Sequence, residues 1–204
     1  MKFYNSVGPN PRMVRMFMAE KSFEVPKVEV DLRGGENRRE PYLRINPAGQ
    51  CPALELDDGS VLTEITAICE YIDEISTGTP SLIGDTPEAR ARTRMWNRRI
   101  DLNIVEPGAN GFRFAEGLKM FQNRLHCIPQ AADDLKATAR EKLVWLDGLM
   151  GGKPYIAGDK LTMADIFLFA FLDFLASVGQ PLDPACKNLA AWFQRMKARP
   201  SAAA

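Results

Sequence analysis

Cysteine is scarce in this chain, and its spacing is uninformative. Cys51, Cys69, Cys127 and Cys186 form no Cys-x-x-Cys pair. That excludes a thioredoxin-type dithiol and a zinc ribbon, and leaves reduced, mostly buried thiols as the expectation. Histidine is scarcer still, with His126 alone. One imidazole cannot build a metal site, so no metal is expected and His126 reads as a surface residue. Net charge is missing as well, because 26 Lys+Arg balance 26 Asp+Glu. A nucleic-acid or membrane-surface partner would call for a basic excess, so neither is expected, and one barrier to self-association is removed. The longest uninterrupted apolar run, Ile166 to Leu172, falls far short of the roughly 18 residues of a membrane span. The opening MKFYNSVGPNP has no apolar core of signal-peptide length, so the expected location is the cytoplasm.

What is present is ordinary globular material: 204 residues, 46% hydrophobic and 25% charged, enough for one large domain or two small ones. Lys2 to Asn5 reads as a short strand. Ser6 to Pro11 is a loop dense in Gly, Pro and Asn. Asn10 is placed as an N-cap, with Pro11 at the first position of a helix running to about Lys21. Val25 to Leu32 alternates with period two and reads as the next strand. Strand, helix, strand is a βαβ unit with its two strands parallel. Gly34 to Tyr42 is charged and loop-like, with room for one helical turn.

The most organised stretch is Asn46 to Asp73. Cys51 to Leu56 is a short apolar run opening on Pro52, Asp57-Asp58-Gly59-Ser60 is a hairpin turn, and Val61-Leu62 is the return strand. Thr63 is placed as the cap of a helix whose apolar face is Ile65, Ile68, Cys69 and Ile72. Pro52 cannot donate to a sheet ladder, so it needs an edge, a first position or a special turn. A cis bond at Cys51-Pro52 would turn the Cys51 backbone towards a ligand.

A linker is expected at about residues 77–86, and no strand pattern follows it. Glu88 to about Phe114 reads as a long helix that Pro107-Gly108 should kink or interrupt. Asp133 to Met150, Thr162 to Val178 and Asn188 to Arg199 read as further helices. Thr162 with Asp165 three residues on forms a capping box, flanked by Leu161 and Ile166 as a hydrophobic staple.

The run NPAGQCPALELDDGSVLTEITAICEYID resembles the second half of the thioredoxin-like domain of cytosolic glutathione transferases of bacterial type. Ile156 to Ile166 resembles the helix-capping motif of that family's C-terminal domain, and Leu189 to Ser201 its last helix. The resemblance covers nearly the whole chain. It implies an α/β thioredoxin-like N-terminal domain, residues 1–77, and an all-α C-terminal domain, residues 86–204. It implies glutathione as co-substrate, a small electrophile as second substrate, peroxide reduction as a further activity, and a homodimer.

Residue by residue, the resemblance implies a cis Pro52, a backbone pairing of Cys51 with the cysteinyl part of glutathione, and a Gln50 contact to a carboxylate of the peptide. Glu64 would pair with the γ-glutamyl ammonium, a charge-assisted contact. The family's usual serine after that acid is Ile65 here, which keeps a backbone N–H, and Thr66 can replace the lost hydroxyl. Arg12 and Arg39 are further candidate carboxylate partners.

The thiolate donor departs from the pattern. Gly8 stands at the serine-class position and Asn10 at that of the bacterial cysteine type. Asn10 is the leading candidate, as an amide donor that could hold a thiolate but not act as a base. Ser6 and Tyr4, the latter in line with the tyrosine-type enzymes, follow it. The resemblance puts the second substrate between the domains, near Phe112, Phe114, Met120 and Phe121. A non-enzymatic binding or regulatory module of the same fold is the alternative. A zeta-type isomerase is disfavoured, because VGPNPR lacks that class's serine- and cysteine-rich run.

Overall fold

Four short strands form one sheet in the order β2-β1-β3-β4. They are β1 (Lys2–Asn5), β2 (Lys27–Glu29), β3 (Ala53–Glu55) and β4 (Val61–Leu62). β1 runs parallel to β2 and antiparallel to β3, and β3 pairs antiparallel with β4. Helix α1 (Pro9–Glu20) connects β1 to β2, α2 (Tyr42–Ile45) is a single turn, and α3 (Ile65–Ile75) follows β4. This computed structural model describes all 204 residues and divides them into two units, Met1–Ile83 with Arg199–Ala204, and Gly84–Ala198. The expected βαβ-loop-ββα order and thioredoxin-like plan of the first unit are present.

Period-two alternation sorts the side chains of the sheet onto two faces. Tyr4, Val30, Tyr42, Cys51 and Ala53 form one buried cluster, with the Tyr4 and Tyr42 rings edge-on at 6.0 Å. Phe3 and Leu54 sit opposite each other in register, fully buried and directed the other way. Met13, Val14, Met16 and Phe17 of α1, with Ile68, Cys69 and Ile72 of α3, are the buried apolar residues of that side. Each fully buried side chain of this size contributes about 1.5–3 kcal/mol relative to exposure. A buried ion pair ties the end of α1 to α3. Lys21 Nζ lies 3.0 Å from Asp73 Oδ1, and also donates to the Pro80 carbonyl at 2.8 Å.

The hairpin forms where Asp-Gly marks it. Asp58 accepts from the Ser60 N–H and hydroxyl, and Gly59 takes φ 83°, a conformation that costs glycine little. Three local expectations are corrected. Helix α1 begins at Pro9 with Gly8 as its N-cap residue, not at Pro11 with Asn10 as cap. Pro9 and Pro11 carry no N–H, so the first turn has few orphan donors and needs no side-chain cap. Helix α3 is preceded by Glu64 at φ 65°, not capped by Thr63. β2 is shorter than the alternating run, and Lys27, Val28 and Glu29 are all exposed on the sheet edge.

The second unit is helical. It contains α4 (Pro87–Ile100), α5 (Glu106–Arg113), α6 (Leu118–Phe121), α7 (Ala132–Met150), α8 (Met163–Ser177) and α9 (Lys187–Lys197). Pro107 interrupts the long helix as expected, but through a π turn at Asp101–Val105 in place of a break. The Glu106 N–H reaches back five residues to the Asp101 carbonyl, and α5 then continues with Pro107 in its first turn. α5 packs closely on α7 because it is thin there: a Cβ on Gly111 would lie 2.6 Å from Lys136 Cγ and 3.3 Å from the Ala132 carbonyl oxygen. No helix is long and apolar enough to cross a membrane.

The expected capping box is present at α8, where Asp165 Oδ2 accepts from the Thr162 N–H at 2.9 Å. Asp165 is fully buried and does more than cap. Its Oδ1 accepts from the Ile156 N–H and from Trp192 Nε1, both at 2.9 Å, so it joins a loop, α8 and α9. Burial pushes its carboxyl pKa upward, and these donors pull it back only in part. On α7, Asp147 caps α9 from outside, accepting the Leu189 N–H at 2.7 Å.

Candidate active site

The sheet registers show where the predicted site segments go. In the β1–β3 ladder Tyr4 faces Ala53, so two further residues set Ser6 beside Cys51. In the β3–β4 ladder Leu54 faces Leu62, so two further residues set Pro52 beside Glu64. The loop entering α1, the Gln50-Cys51-Pro52 turn and the start of α3 thus emerge at one end of the sheet.

The Cys51-Pro52 peptide is cis, as the resemblance implies, and Glu40-Pro41 is cis as well. The turn before Cys51 is firmly held. The Gln50 carbonyl accepts from Tyr42 Oη and from Asn46 Nδ2, each at 2.7 Å. The Ala48 N–H donates to Asn46 Oδ1 at 3.0 Å, and the Asn37 amide donates to the Gly49 carbonyl. The Cys51 side chain is buried, with its Sγ donating to Tyr42 Oη at 3.2 Å. Burial pushes the Cys51 thiol pKa up, against the opposing bond to Tyr42, so this thiol stays protonated and is no nucleophile. Its main-chain N–H and C=O take part in no hydrogen bond within the chain. That leaves a donor and an acceptor available to an extended peptide. The Gln50 side chain is exposed and Pro52 is buried.

Glu64 is exposed, with its carboxylate engaged by no group of the chain. Ile65 and Thr66 are half-buried in the first turn of α3, where free N–H groups and the positive end of the helix favour an anion.

The three donor candidates are placed differently. Tyr4 Oη donates to Glu55 Oε2 at 2.6 Å, and Lys2 pairs with the other oxygen at 3.0 Å. That bond, then burial, then the Glu55 charge push the Tyr4 pKa up to about 12. Ser6 is buried and its hydroxyl donates to the Val30 carbonyl at 2.6 Å. Asn10, in the first turn of α1, is half-buried and its side chain makes no hydrogen bond within the chain. Between Pro9 and Pro11 it also holds the only N–H of that segment, since the Arg12 N–H already bonds the Gly8 carbonyl at 3.2 Å.

Arg12 donates to the Ala202 carbonyl at 3.0 Å, and Arg39 to the Gly34 and Gly35 carbonyls at 3.0 and 3.3 Å. Both guanidinium groups therefore have structural partners. In the helical unit Phe112 packs edge-on against Phe121 at 6.0 Å and Phe174 at 5.2 Å. Phe114 is half-buried and Met120 is 52% exposed.

Sequence reasoning missed the groups that hold these segments. Tyr42 and Asn46 were invisible because a lone Tyr and an Asn in a loop carry no spacing signal. Asn5, Arg15 and Glu29 were missed for the same reason. Arg15 Nη1 donates to Asn5 Oδ1 at 2.7 Å and to the Ser6 carbonyl at 3.1 Å, and Asn5 Nδ2 donates to Glu29 Oε1 at 2.6 Å.

Comparison with known proteins now joins this geometry. The profile for the glutathione S-transferase N-terminal domain matches residues 7–75, and that for the C-terminal domain matches residues 129–195. Glutathione S-transferase 2 of Saccharomyces cerevisiae is 37% identical over 95% of this chain and 84% of its own length. The crystal structure of Gtt2 from the same yeast superposes with a TM-score of 0.90 at 36% identity, covering 98% of each chain. A Sulfitobacter glutathione transferase homologue, solved with bound glutathione, gives a TM-score of 0.81 at 25% identity, over 99% of this chain and 94% of that one. This chain belongs to the glutathione transferase family, with the thioredoxin-like and all-helical parts of that fold.

Proposed function

We propose that this protein is a glutathione transferase that binds glutathione as its thiolate and joins it to an electrophilic, mostly apolar second substrate. The observation that carries the reading is the convergence at one sheet end of three open features. They are the unpaired main chain of Cys51 before cis Pro52, the free Glu64 carboxylate, and the N-terminus of α1 with Asn10. A structural relative solved with bound glutathione supports it.

In this reading Cys51 pairs by backbone with the cysteinyl unit. Glu64 takes the γ-glutamyl ammonium, the Ile65 N–H and the Thr66 hydroxyl take the adjoining carboxylate, and Gln50 reaches a carboxylate of the peptide. An ordinary thiol of this kind has a pKa near about 8.5. One donor to the anion is worth about 1.5–3 kcal/mol, enough to bring the pKa down by one unit or more. Asn10 offers that donor by its amide, its N–H, or both. It accepts no proton, so the thiol proton leaves to solvent. The thiolate then attacks carbon, forming the S–C bond while the leaving group departs with its electron pair. Phe112, Phe114, Met120 and Phe121 offer apolar surface for the second substrate. Peroxide reduction, a role in detoxification and a cytoplasmic location belong to the same proposal.

A homodimer completes it. The exposed side of α4 carries Arg90, Arg92, Arg98 and Arg99, and α3 exposes Glu74, charges of opposite sign for two copies to pair.

The test is calorimetric binding of glutathione, conjugation of a reactive aryl halide, and the ultraviolet titration of the bound thiolate in wild type and Asn10→Ala. Binding, turnover and a bound-thiol pKa raised by about one unit in Asn10→Ala are expected. An unchanged thiol pKa removes the Asn10 side chain from the mechanism. Binding without turnover would make the protein a glutathione-binding module instead.

A further inference from the structure

The loop between β1 and α1 is held from behind by a chain of polar contacts that the catalytic proposal does not use. Glu29 and Asn5 face each other in the β1–β2 register, with Glu29 Oε1 accepting from Asn5 Nδ2 at 2.6 Å. Asn5 Oδ1 then accepts from Arg15 Nη1 at 2.7 Å, and the same nitrogen donates to the Ser6 carbonyl at 3.1 Å. The Ser6 hydroxyl bonds the Val30 carbonyl, and the Val30 N–H bonds the Asn5 carbonyl at 2.9 Å. Every polar group of Asn5 and Ser6 that these bonds involve is directed towards β2 or the second turn of α1.

Past Ser6 the anchoring stops. Val7 is 54% exposed and Gly8 takes φ 109° with nothing near its Cβ position. These are the only residues between the anchored Ser6 and the first turn of α1. The Arg15 guanidinium therefore bridges the strand end and the helix body, closing a ring of chain from Ser6 to Arg15 with Asn10 on its rim. Arg15 is half-buried, and Glu29 at the far end of the relay balances its charge through Asn5.

We propose that Arg15, supported by Asn5 and Glu29, is a positioning residue. It fixes the Ser6–Asn10 loop so that the Asn10 donor meets the sulfur of bound glutathione. The proposal rests on the glutathione-transferase reading above. Both bonds leave Nη1, whose two N–H directions are fixed in the guanidinium plane, so the planar group sets where Asn5 Oδ1 and the Ser6 carbonyl must lie. A lysine at this place would supply charge without that planar geometry.

The experiment compares wild type, Arg15→Lys, Arg15→Met and Glu29→Gln. Two readouts separate positioning from reaction. Without ligand, the amide resonances and hydrogen exchange of Val7, Gly8 and Asn10 report the loop directly. In Arg15→Met these three should shift and exchange about tenfold faster, while amides of α3 and of the helical unit stay unchanged. With glutathione, the bound-thiol pKa should rise by about one unit and kcat fall about tenfold, with the dissociation constant changing less than about threefold. Arg15→Lys should fall between. Glu29→Gln keeps an oxygen for Asn5, guards against misfolding as the explanation, and should move the thiol pKa in the same direction but less. Unchanged loop amides in Arg15→Met overturn the positioning role, whatever glutathione does. Shifted amides with no glutathione binding by the wild type would leave the loop relay standing and overturn the transferase reading and the catalytic part of the proposal. Equal losses in kcat and in binding that track melting temperature would mark Arg15 as merely structural and overturn it too.

Discussion

Tyr4 and Asn10 carry opposite lessons about a polar side chain near a helix start. Tyr4 lines up in sequence with a catalytic tyrosine, yet its hydroxyl is committed to Glu55 and its pKa is pushed up to about 12. Its single O–H proton is already given to the Glu55 carboxylate, which leaves none for a sulfur. Tyr4→Phe should therefore leave the pKa of bound glutathione within about 0.3 units and kcat within about twofold of wild type, as measured by thiolate titration and steady-state kinetics. A raised thiol pKa would restore Tyr4 as a donor. Asn10 shows the reverse, since its side-chain amide is unengaged and it stands between Pro9 and Pro11, which have no N–H to offer. Its candidacy was legible from the sequence. Its position within the helix was not, because Pro9 and Pro11 are equally good first-turn residues and only the structure chooses between them.

Among the elements, α1 and α3 are joined by more than apolar packing. Lys21 and Asp73 are almost wholly buried, at 1% and 6% side-chain exposure, and 3.0 Å apart. Asp73 also accepts from the Ser81 hydroxyl at 2.6 Å and the Leu82 N–H at 2.9 Å. Burial alone would push its carboxyl pKa up. The bonds from Ser81 and Leu82, together with Lys21, outweigh that and hold it below the usual range. A carboxyl lowered on folding stabilises the protein fully above its unfolded pKa of about 3.9, and that stability is lost as pH falls through the lower folded value. Lys21→Met should cost about 3–5 kcal/mol at neutral pH, because it strands a buried carboxylate. It should also flatten the acid limb of stability below pH of about 4. Urea unfolding across pH checks both, and a loss under about 1 kcal/mol would show that the pair is not the anchor described here. Sequence patterning found both helices but not this pair, since two charged residues 52 positions apart carry no periodic signal.

For the molecule as a whole, the last six residues belong with the first unit although they follow the helical one. The reason is a clasp between distant parts of the chain. Arg199 forks onto Glu20 with Nε–Oε1 and Nη2–Oε2 both at 2.7 Å, and the Ser201 hydroxyl shares Oε1. Burial would raise the Glu20 pKa, but these bonds and the Arg199 charge hold it below its ordinary value. Glu20→Gln removes one half of the bidentate pair and the charge behind it. The tail from Arg199 should then be cut faster by carboxypeptidase, and the melting temperature should fall by about 2–4 °C, as for a loss of about 1 kcal/mol in a chain of this size. An unaltered tail and melting curve would show that apolar contacts suffice to dock it.

By itself the sequence determined the order of elements, the hairpin at Asp58-Gly59, the interruption at Pro107, the Thr162–Asp165 capping box and the family. All of these depend on residues close together in the chain, where spacing and turn chemistry act directly. In the stretch from Asn46 to Asp73 the cis Pro52 and the β3–β4 hairpin were legible because their motif is contiguous. Only the tertiary structure decided what Tyr4, Ser6, Arg12 and Arg39 are bonded to, that Arg15 reaches back to Ser6, and that the C-terminal tail closes on α1. Those outcomes turn on which donor meets which acceptor across the fold. A sequence names the donors and acceptors, but their pairing is set by the sheet registers and helix placements that bring distant segments together.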